Sequence, residues 1–371
     1  MTKNITLLIC LALAIGTRAQ TPQGLFEDHA DVGTVLHPGS VAYDPAAKTY
    51  TVAGSGENMW FATDAFQFVW KKVSGDVTLT ADISFIGAGV EGHRKAVLMI
   101  RQNLDADSPY ADVARHGEGL TSLQARDEKG ANTSEIQSNT KSPTRVRIAK
   151  RGDYFYLWVA GPGEDLHFSG GSLRVAMHDP FYVGIGVCSH NKDVVEKAVF
   201  SNVELTTGKP AGQPQLYSTL EVVPLSGDRR AVYVTPGRIT SPAWTRDGET
   251  ITVEREGRLL RIPASGGQAE FAGPAPAQKG EALSTPKLPD DGYHNVDPQE
   301  APDGHQIAFL SWNNDTAGPL GDKEMLLRVM SLTDGKVHVV AKLIGGPGTL
   351  DKSSWSPDSR RLAFISYQWI Q

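Results

Sequence analysis

The second half of this chain repeats one short turn motif three times, and this repeat limits the folds open to it more than any other feature. The copies occupy residues 244–248, 300–304 and 355–359, which places them 56 and 55 residues apart. The fourth residue of each copy is an Asp that can bond its own backbone in a turn, and an alternating apolar run follows. Self-similarity at such a period, with four short strands per unit, is typical of β-propeller blades.

The first half shows a different pattern, in which short alternating runs are separated by Gly, Asp and Asn. In the clearest run, residues 77–85, every odd-numbered residue is apolar, which predicts a half-buried strand. Further strands are predicted over residues 66–70, 96–101, 122–126, 145–150, 154–159, 182–188 and 198–205. About eight antiparallel strands of this kind predict a two-sheet sandwich of jelly-roll type.

Together these patterns predict an all-β chain of two domains. A jelly-roll β-sandwich is expected over residues 22–205, a linker rich in turn formers over 206–215, and incomplete propeller repeats over 216–371. The 371 residues are enough for two cores. Because the last repeat is short of strands, we expect residues 231–234 to pair with residues 361–367 and complete its blade.

The first residues have the features of a secretory signal peptide. Lys3 precedes the apolar run 5–16, and small residues lead to a predicted cleavage after Ala19. A membrane anchor is the alternative, but the run is shorter than the ~20 residues that a bilayer requires. Cleavage leaves Cys188 as the single cysteine, in an apolar run that predicts a buried side chain. We therefore expect a periplasmic or secreted protein without a membrane span.

Several motifs of the first half resemble those of the concanavalin A-like lectin/glucanase sandwich. They are residues 58–60, 68–71, 95–101, 104–110, 119–124 and 187–191. The resemblance implies carbohydrate as the ligand, either bound or cleaved. A retaining glycosidase needs two carboxyl groups about 5 Å apart, and the glucanase strand with two Glu and one Asp at alternate positions is absent. The sequence therefore favours a non-catalytic protein.

Four residues in these motifs are candidates for lining a concave groove, with an aromatic face for stacking and polar donors beside it. They are Trp60, Arg101, Gln124 and His190. A satisfied polar network at a sheet edge is the alternative interpretation. A second candidate surface is formed by Tyr154, Tyr156 and Trp158, which share one face of a predicted strand. Their rings could stack on sugars, and cross-strand packing inside the sandwich is the alternative.

One loop offers oxygen ligands of the kind that Ca²⁺ prefers, from Asp105, Asp107 and Asp112. The loop lacks the sixth-position Gly and the closing Glu of an EF-hand, so a hydrogen-bonded turn is the alternative. No cofactor is predicted apart from this candidate cation. The net charge of −6 gives no field that would recruit nucleic acid.

The repeats of the second half resemble the TolB-like propeller, whose blades carry a Trp-Ser-Pro-Asp-Gly turn, a basic residue and an apolar strand ending in Ser. Residues 355–366 match this pattern closely, apart from Ser359 where the pattern has Gly. Propellers of this family commonly have about six or more blades, whereas this chain has three copies. The resemblance therefore implies a partial propeller.

The leading interpretation is an exported binding protein whose sandwich recognises polysaccharide or the cell envelope and whose propeller contacts protein. One alternative is a glycoside hydrolase or related carbohydrate enzyme with an acid and a base on separate strands, for which Asp82, Asp112 and Glu118 are candidates. A second alternative is a component of a Tol-type envelope assembly whose sandwich is only structural.

Overall fold

The computed structural model describes residues 24–275, 287–313, 323–346, 348–350 and 354–371. Within these ranges the chain forms strands and no α-helix, and none of its sheets closes into a barrel. The all-β prediction is confirmed for this part of the chain. No segment among the described residues is a helix long and apolar enough to cross a membrane. The predicted signal peptide, residues 1–19, lies outside the described residues.

Within the described residues, the first half supplies seventeen strands. They are β1 (Asp28–Val32), β2 (Ser40–Asp44), β3 (Thr49–Gly54), β4 (Met59–Trp60), β5 (Thr63–Asp64), β6 (Phe66–Val73), β7 (Val77–Ile86), β8 (Lys95–Arg101), β9 (Tyr110–His116), β10 (Thr121–Arg126), β11 (Ser134–Gln137), β12 (Arg145–Arg151), β13 (Tyr154–Ala160), β14 (His167–Phe168), β15 (Leu173–Arg174), β16 (Phe181–Cys188) and β17 (Glu196–Thr207). Every strand predicted from residues 66–205 is present.

The second half supplies eleven strands within the described ranges. They are β18 (Gln215–Pro224), β19 (Arg229–Pro236), β20 (Thr240–Trp244), β21 (Thr250–Arg255), β22 (Arg258–Pro263), β23 (Glu270–Pro274), β24 (Tyr293–Glu300), β25 (Gln306–Asn313), β26 (Lys323–Ser331), β27 (Val337–Gly345) and β28 (Arg361–Ile370).

Two large sheets pack around the main apolar core. One has ten strands in the order β1-β6-β16-β8-β9-β10-β11-β19-β18-β28, and the other follows the order β14-β13-β12-β7-β17-β3-β2 with β15 beside β13. Alternation of side chains explains the packing: Val77, Leu79 and Ala81 of β7 are fully buried and meet Leu98 and Val113 of the facing sheet. The predicted half-buried face of residues 77–85 is therefore confirmed.

The ten-stranded sheet runs through both halves of the chain. Its strands are antiparallel except where β11 meets β19, which pair in parallel through Ile136 and Arg229. Residues 208–214 connect the last strand of the first half to β18. The division of the chain at residues 206–215 into independent domains stays a prediction.

The predicted pairing of residues 231–234 with residues 361–367 is wrong in detail. β18 lies between β19 and β28, and it pairs with β28 over its whole length, with Leu220 opposite Ile365. The reason is local: β18 and β19 form a hairpin through the short connection 225–228, and this leaves the other edge of β18 free for β28. The segments do share a sheet, and Phe364 and Tyr367 are buried as expected.

The three repeats adjoin each other through their turns. Two four-stranded meanders, β20 to β23 and β24 to β27, flank β28. The indole of Trp244 donates to the carbonyl of Ser354 at 3.0 Å, and that of Trp355 donates to the carbonyl of Gln299 at 2.8 Å. The last position of each turn has a left-handed backbone, with φ of 72°, 70° and 59° at Gly248, Gly304 and Ser359. This shared conformation explains why Gly occupies two of the three copies.

Candidate ligand-binding cavity

The outer face of the ten-stranded sheet, opposite the main core, carries a row of polar side chains. Asp112 on β9 lies across from Gln124 on β10, and Gln124 lies across from Glu135 on β11. Lys95 is the first residue of β8. Its side chain lies on the same face, because side chains alternate along a strand and the next residue, Ala96, points into the core. All four side chains are buried. Buried polar groups need partners, so this row is a place where a ligand or a structural network is expected.

A small hairpin, β4 and β5, lies over this polar face. Its carboxylate, Asp64, accepts two hydrogen bonds from Arg126, at 2.7 and 2.9 Å, and a longer one from Arg101, at 3.4 Å. The carbonyl of Met59 accepts from Lys95 Nζ at 3.1 Å and from the Tyr110 hydroxyl at 3.2 Å. The bidentate contact between Arg126 and Asp64 consists of two parallel charge-assisted hydrogen bonds, and it therefore fixes the hairpin firmly.

A cavity of about 470 Å³ opens between this hairpin and the polar row. This size is within the range of small-molecule sites. Its walls combine aromatic, amide, imidazole and charged side chains. They are Asn58, Trp60, Phe61, His93, Lys95, His116, Leu120, Gln124, Glu135, Gln137, His190 and Asp228.

The imidazoles at this cavity form a cluster centred on His93. Its ring centre lies 5.6 Å from that of His116 and 5.5 Å from that of His190. Burial lowers the pKa of His116 to about 3, and burial also lowers the pKa of His190. Both rings are therefore neutral at neutral pH. The Nδ1 of His116 donates to the carbonyl of Leu120 at 3.2 Å, which leaves its Nε2 as an acceptor. The Nδ1 atom of His190 has no hydrogen-bond partner among the described residues.

The polar row is only partly satisfied: Gln124 donates to Ser122 Oγ at 3.0 Å and Glu135 accepts from Gln137 at 2.6 Å, whereas other contacts are long or missing. Lys95 Nζ lies 3.4 Å from Asn58 Oδ1 and 3.5 Å from Gln124 Oε1. Both carboxyl oxygens of Asp112 are buried and have no partner within the described residues. Burial raises the pKa of Asp112 well above its usual range, and it lowers the pKa of Lys95. The row therefore has hydrogen-bonding capacity that the described protein atoms leave unused.

Three of the predicted groove residues meet in this cavity, and the fourth lies beneath it. Trp60, Gln124 and His190 are in its wall. Arg101 is fully buried and donates to the carbonyls of Asn103 and Asp105 as well as to Asp64, so it anchors the hairpin rather than facing a ligand. Lys95 was not among the predicted groove residues, because its position at the start of a buried strand resembles a solvated strand end.

The aromatic strand lies elsewhere in the fold. Tyr156 and Trp158 of β13 are mostly buried and contact Phe168, with ring centres 6.2 and 5.7 Å away. Tyr154 is half-buried beside the same cluster, which also includes Ile370 of the last strand. The face of β13 that was a candidate for sugar stacking thus packs against side chains of the protein.

The three Asp residues of the candidate Ca²⁺ loop do not come together. Lys129 forms ion pairs with Asp105 at 2.7 Å and with Asp107 at 3.3 Å. Asp112 lies within β9 in the buried polar row. Across the described ranges there is no group of three or more His, Cys, Asp or Glu residues suited to hold a metal ion. Cys188 is buried and unpaired, and burial raises its pKa to about 11.

Comparisons with known proteins give partial matches. No protein-family model matches the chain. A curated relative, the uncharacterized protein Atu1656 of Agrobacterium fabrum, is 29% identical over 87 residues, which are 24% of this chain and 30% of that protein. The chain therefore spans less than a third of the relative's length.

Three solved structures match the chain with low TM-scores. A functionally unknown protein from Saccharomyces cerevisiae matches with a TM-score of 0.36 and 16% identity, over 47% of this chain and 93% of that one. The putative TolB from Agrobacterium tumefaciens matches with a TM-score of 0.21 and 15% identity, over 80% of this chain and 99% of that one. Lectin I-B4 from Griffonia simplicifolia matches with a TM-score of 0.28 and 9% identity, over 46% of this chain and 92% of that one.

Proposed function

We propose that the cavity between the β4–β5 hairpin and the polar row binds a neutral saccharide, and that the chain is an exported, non-catalytic binding protein. The observation that carries this proposal is that an aromatic ring, Trp60, meets amide, imidazole and charged side chains in one cavity, among them His190, whose Nδ1 has no hydrogen-bond partner within the described residues. Sugars present an apolar ring face beside many hydroxyl groups, and such a wall complements both.

The charges around the cavity favour a neutral sugar over an acidic one. Lys95 is the cation of the lining, and Glu135 and Asp228 supply two carboxyl groups. The neutral rings of His116 and His190 add no positive charge at neutral pH. An anionic sugar would therefore meet more negative than positive charge, which costs binding free energy.

For the scaffold, we propose a jelly-roll sandwich in the first half and an incomplete TolB-like propeller in the second. The three left-handed turns and the indole bonds of Trp244 and Trp355 between neighbouring repeats support the propeller assignment. We further propose that the protein is periplasmic or secreted, on the strength of residues 1–19, and that its partner is polysaccharide or a cell-envelope protein.

A glycoside hydrolase is the second candidate function, and one observation favours it. Asp112, with its raised pKa, and Glu135 flank Gln124 on neighbouring strands, and two carboxyl groups in unlike environments are the usual acid and base of such enzymes. Asp112 is not in the cavity wall, which counts against this role. Release of reducing sugar from neutral polysaccharides by the purified protein would establish this second candidate and exclude a purely binding function.

A binding experiment tests the leading proposal. A glycan array identifies the neutral sugars bound by the purified chain, and calorimetry then compares wild type with Trp60→Ala. We expect the variant to bind about 10- to 100-fold more weakly, because the stacking face is lost. Trp369→Ala is the matched control, since this tryptophan is 51% exposed on β28. The Trp369→Ala variant should bind the sugar with the affinity of wild type. Equal affinity of Trp60→Ala and wild type would place the sugar elsewhere.

A further inference from the structure

The β4–β5 hairpin separates two cavities rather than covering one. A second cavity, of about 640 Å³, lies on its other side and is lined by polar residues that include Thr34, Glu57 and Lys192. Asn58, Trp60 and Phe61 line both cavities. The hairpin tip is thus a ridge between two adjoining depressions, each within the size range of small-molecule sites.

Phe61 occupies this ridge in a conformation that its side chain disfavours. Its φ is 54°, in the left-handed region where Gly and Asn are the usual residues, and the side chain is 61% exposed. Because the ring is largely exposed, the free energy gained by burying it is too small to offset the backbone strain. Residues in such conformations are concentrated at ligand sites, where several contacts from the surrounding structure hold them in place.

The surrounding structure does hold Phe61 in place. Its carbonyl accepts hydrogen bonds from Arg126 Nε at 3.2 Å and Nη2 at 2.9 Å, and from the Thr133 hydroxyl at 3.3 Å. Arg126 is fully buried and is fixed in turn by Asp64 at the base of the same hairpin. The backbone of Phe61 is therefore clamped while its ring projects into the open mouth of the two cavities.

We propose that Phe61 is a second stacking surface, beside Trp60, and that the site takes a neutral oligosaccharide that crosses the ridge from one cavity to the other. This inference rests on the proposed function, because it extends the same site. A single sugar unit can occupy one cavity without contacting the other. A chain of several units would contact both cavities and the two aromatic rings between them, so affinity should increase with chain length.

The test is a calorimetric titration of the full chain with cello- and laminari-oligosaccharides of one to six units. We expect affinity to rise at least tenfold between one unit and the length that spans the ridge. Phe61→Gly and Phe61→Asn suit a left-handed backbone, so both should fold with a Tm no lower than wild type. Both should bind the longer oligosaccharides about tenfold more weakly and the monosaccharide as well as wild type. Phe271→Ala removes a phenylalanine that is 69% exposed on β23 and serves as the control.

The outcomes separate this inference from the proposed function. If wild type binds a sugar but affinity does not increase with length, or if both Phe61 variants keep full affinity for the longer chains, the ridge inference is overturned and the cavity proposal stands. If wild type binds a neutral sugar on the glycan array but none of these oligosaccharides, the ridge inference alone is overturned; if it binds no neutral sugar in either experiment, both proposals are overturned. A Tm that falls by several degrees in both variants would show that Phe61 is a structural residue and would also overturn the inference.

Discussion

Two buried polar clusters lie on the same ten-stranded sheet, and they differ in how completely they are satisfied. In the second half, Arg229 donates to both carboxylate oxygens of Glu221 at 2.8 and 2.9 Å. Gln368 donates to Ser366 at 2.8 Å, and Ser366 in turn donates to Glu221. In the first half, the Lys95 contacts to side chains are 3.4 Å or longer, and Asp112 has no partner within the described residues.

This difference indicates different roles for the two clusters. A fully connected network rigidifies the region around it, whereas unsatisfied buried groups cost free energy unless something else fills them. The Glu221 cluster joins β18, β19 and β28, and Thr219 beside it links Gly171 of the first half to Gln368. We therefore interpret the Glu221 cluster as structural and the polar row, whose Lys95, Gln124 and Glu135 line the cavity, as open to a ligand.

Glu221→Ala gives the largest effect that this comparison predicts. The substitution leaves the buried guanidinium of Arg229 without its carboxylate, so we expect a loss of about 3–5 kcal/mol in the free energy of unfolding. Urea denaturation measures this loss. Glu135→Ala, in the cavity cluster, removes hydrogen bonds to Gln124 and Gln137 and should cost about 1 kcal/mol. Similar losses in the two variants would contradict the division into a structural and an open cluster.

Asp112→Asn should stabilise the protein at pH 7, by about 1 kcal/mol or more, because the unfolded wild type gains free energy by releasing a proton that the buried, unpartnered carboxyl group must keep, and the amide has no such proton. The sign depends on pH. Burial raises the folded-state pKa of Asp112, so the folded state holds its proton where the unfolded state, with a pKa of about 3.9, releases it. The contribution of Asp112 to wild-type stability therefore falls as pH rises above about 4, and the advantage of the variant should vanish at pH 3.

Urea denaturation at pH 3 and pH 7 measures this pH dependence. Asp64→Asn is the matched control, because Asp64 is equally buried but accepts two short hydrogen bonds from Arg126. It should destabilise the protein at pH 7, the opposite of Asp112→Asn. If Asp112→Asn is also destabilising at pH 7, the carboxylate has a partner in solution and the cluster is not open.

The sequence predicted the strands well and their partners less well. Alternation over residues 77–85 depends only on local burial, and β7 follows it. The pairing of β28 with β18 depends on which edge a hairpin leaves free, and this is a property of the whole sheet. The parallel contact of β11 with β19 is similar, because no local pattern marks strands so far apart in the chain.

The candidate site shows the same limit. Trp60, Gln124 and His190 were found because aromatic and polar residues at strand ends are visible in the sequence, and the sheet brings them together. Arg101 looked the same in the sequence, but the turn at residues 102–109 encloses it, and its donors are used by Asn103, Asp105 and Asp64. The strained backbone of Phe61 has no sequence signature, because a phenylalanine is not expected where φ is positive.

The smallest predicted effect concerns the surface contacts between the two halves. Lys342 pairs with Asp127 at 2.6 Å, but both side chains are substantially exposed, at 58% and 38%. Exposed ion pairs typically contribute less than about 1 kcal/mol and are screened by salt. The carbonyl of Lys342 also accepts from Arg229 at 2.8 Å, and Lys342→Ala keeps that bond because the backbone is unchanged.

We therefore expect Lys342→Ala to lower the free energy of unfolding by about 0.5 kcal/mol in low salt and by less in 0.5 M NaCl. A double-mutant cycle with Asp127→Ala, followed by urea denaturation at both salt concentrations, isolates the pair from the Arg229 bond. A coupling energy above about 2 kcal/mol that persists in salt would mean that surface charges hold the halves together. The Glu221 cluster would then not be the main polar connection between the two halves.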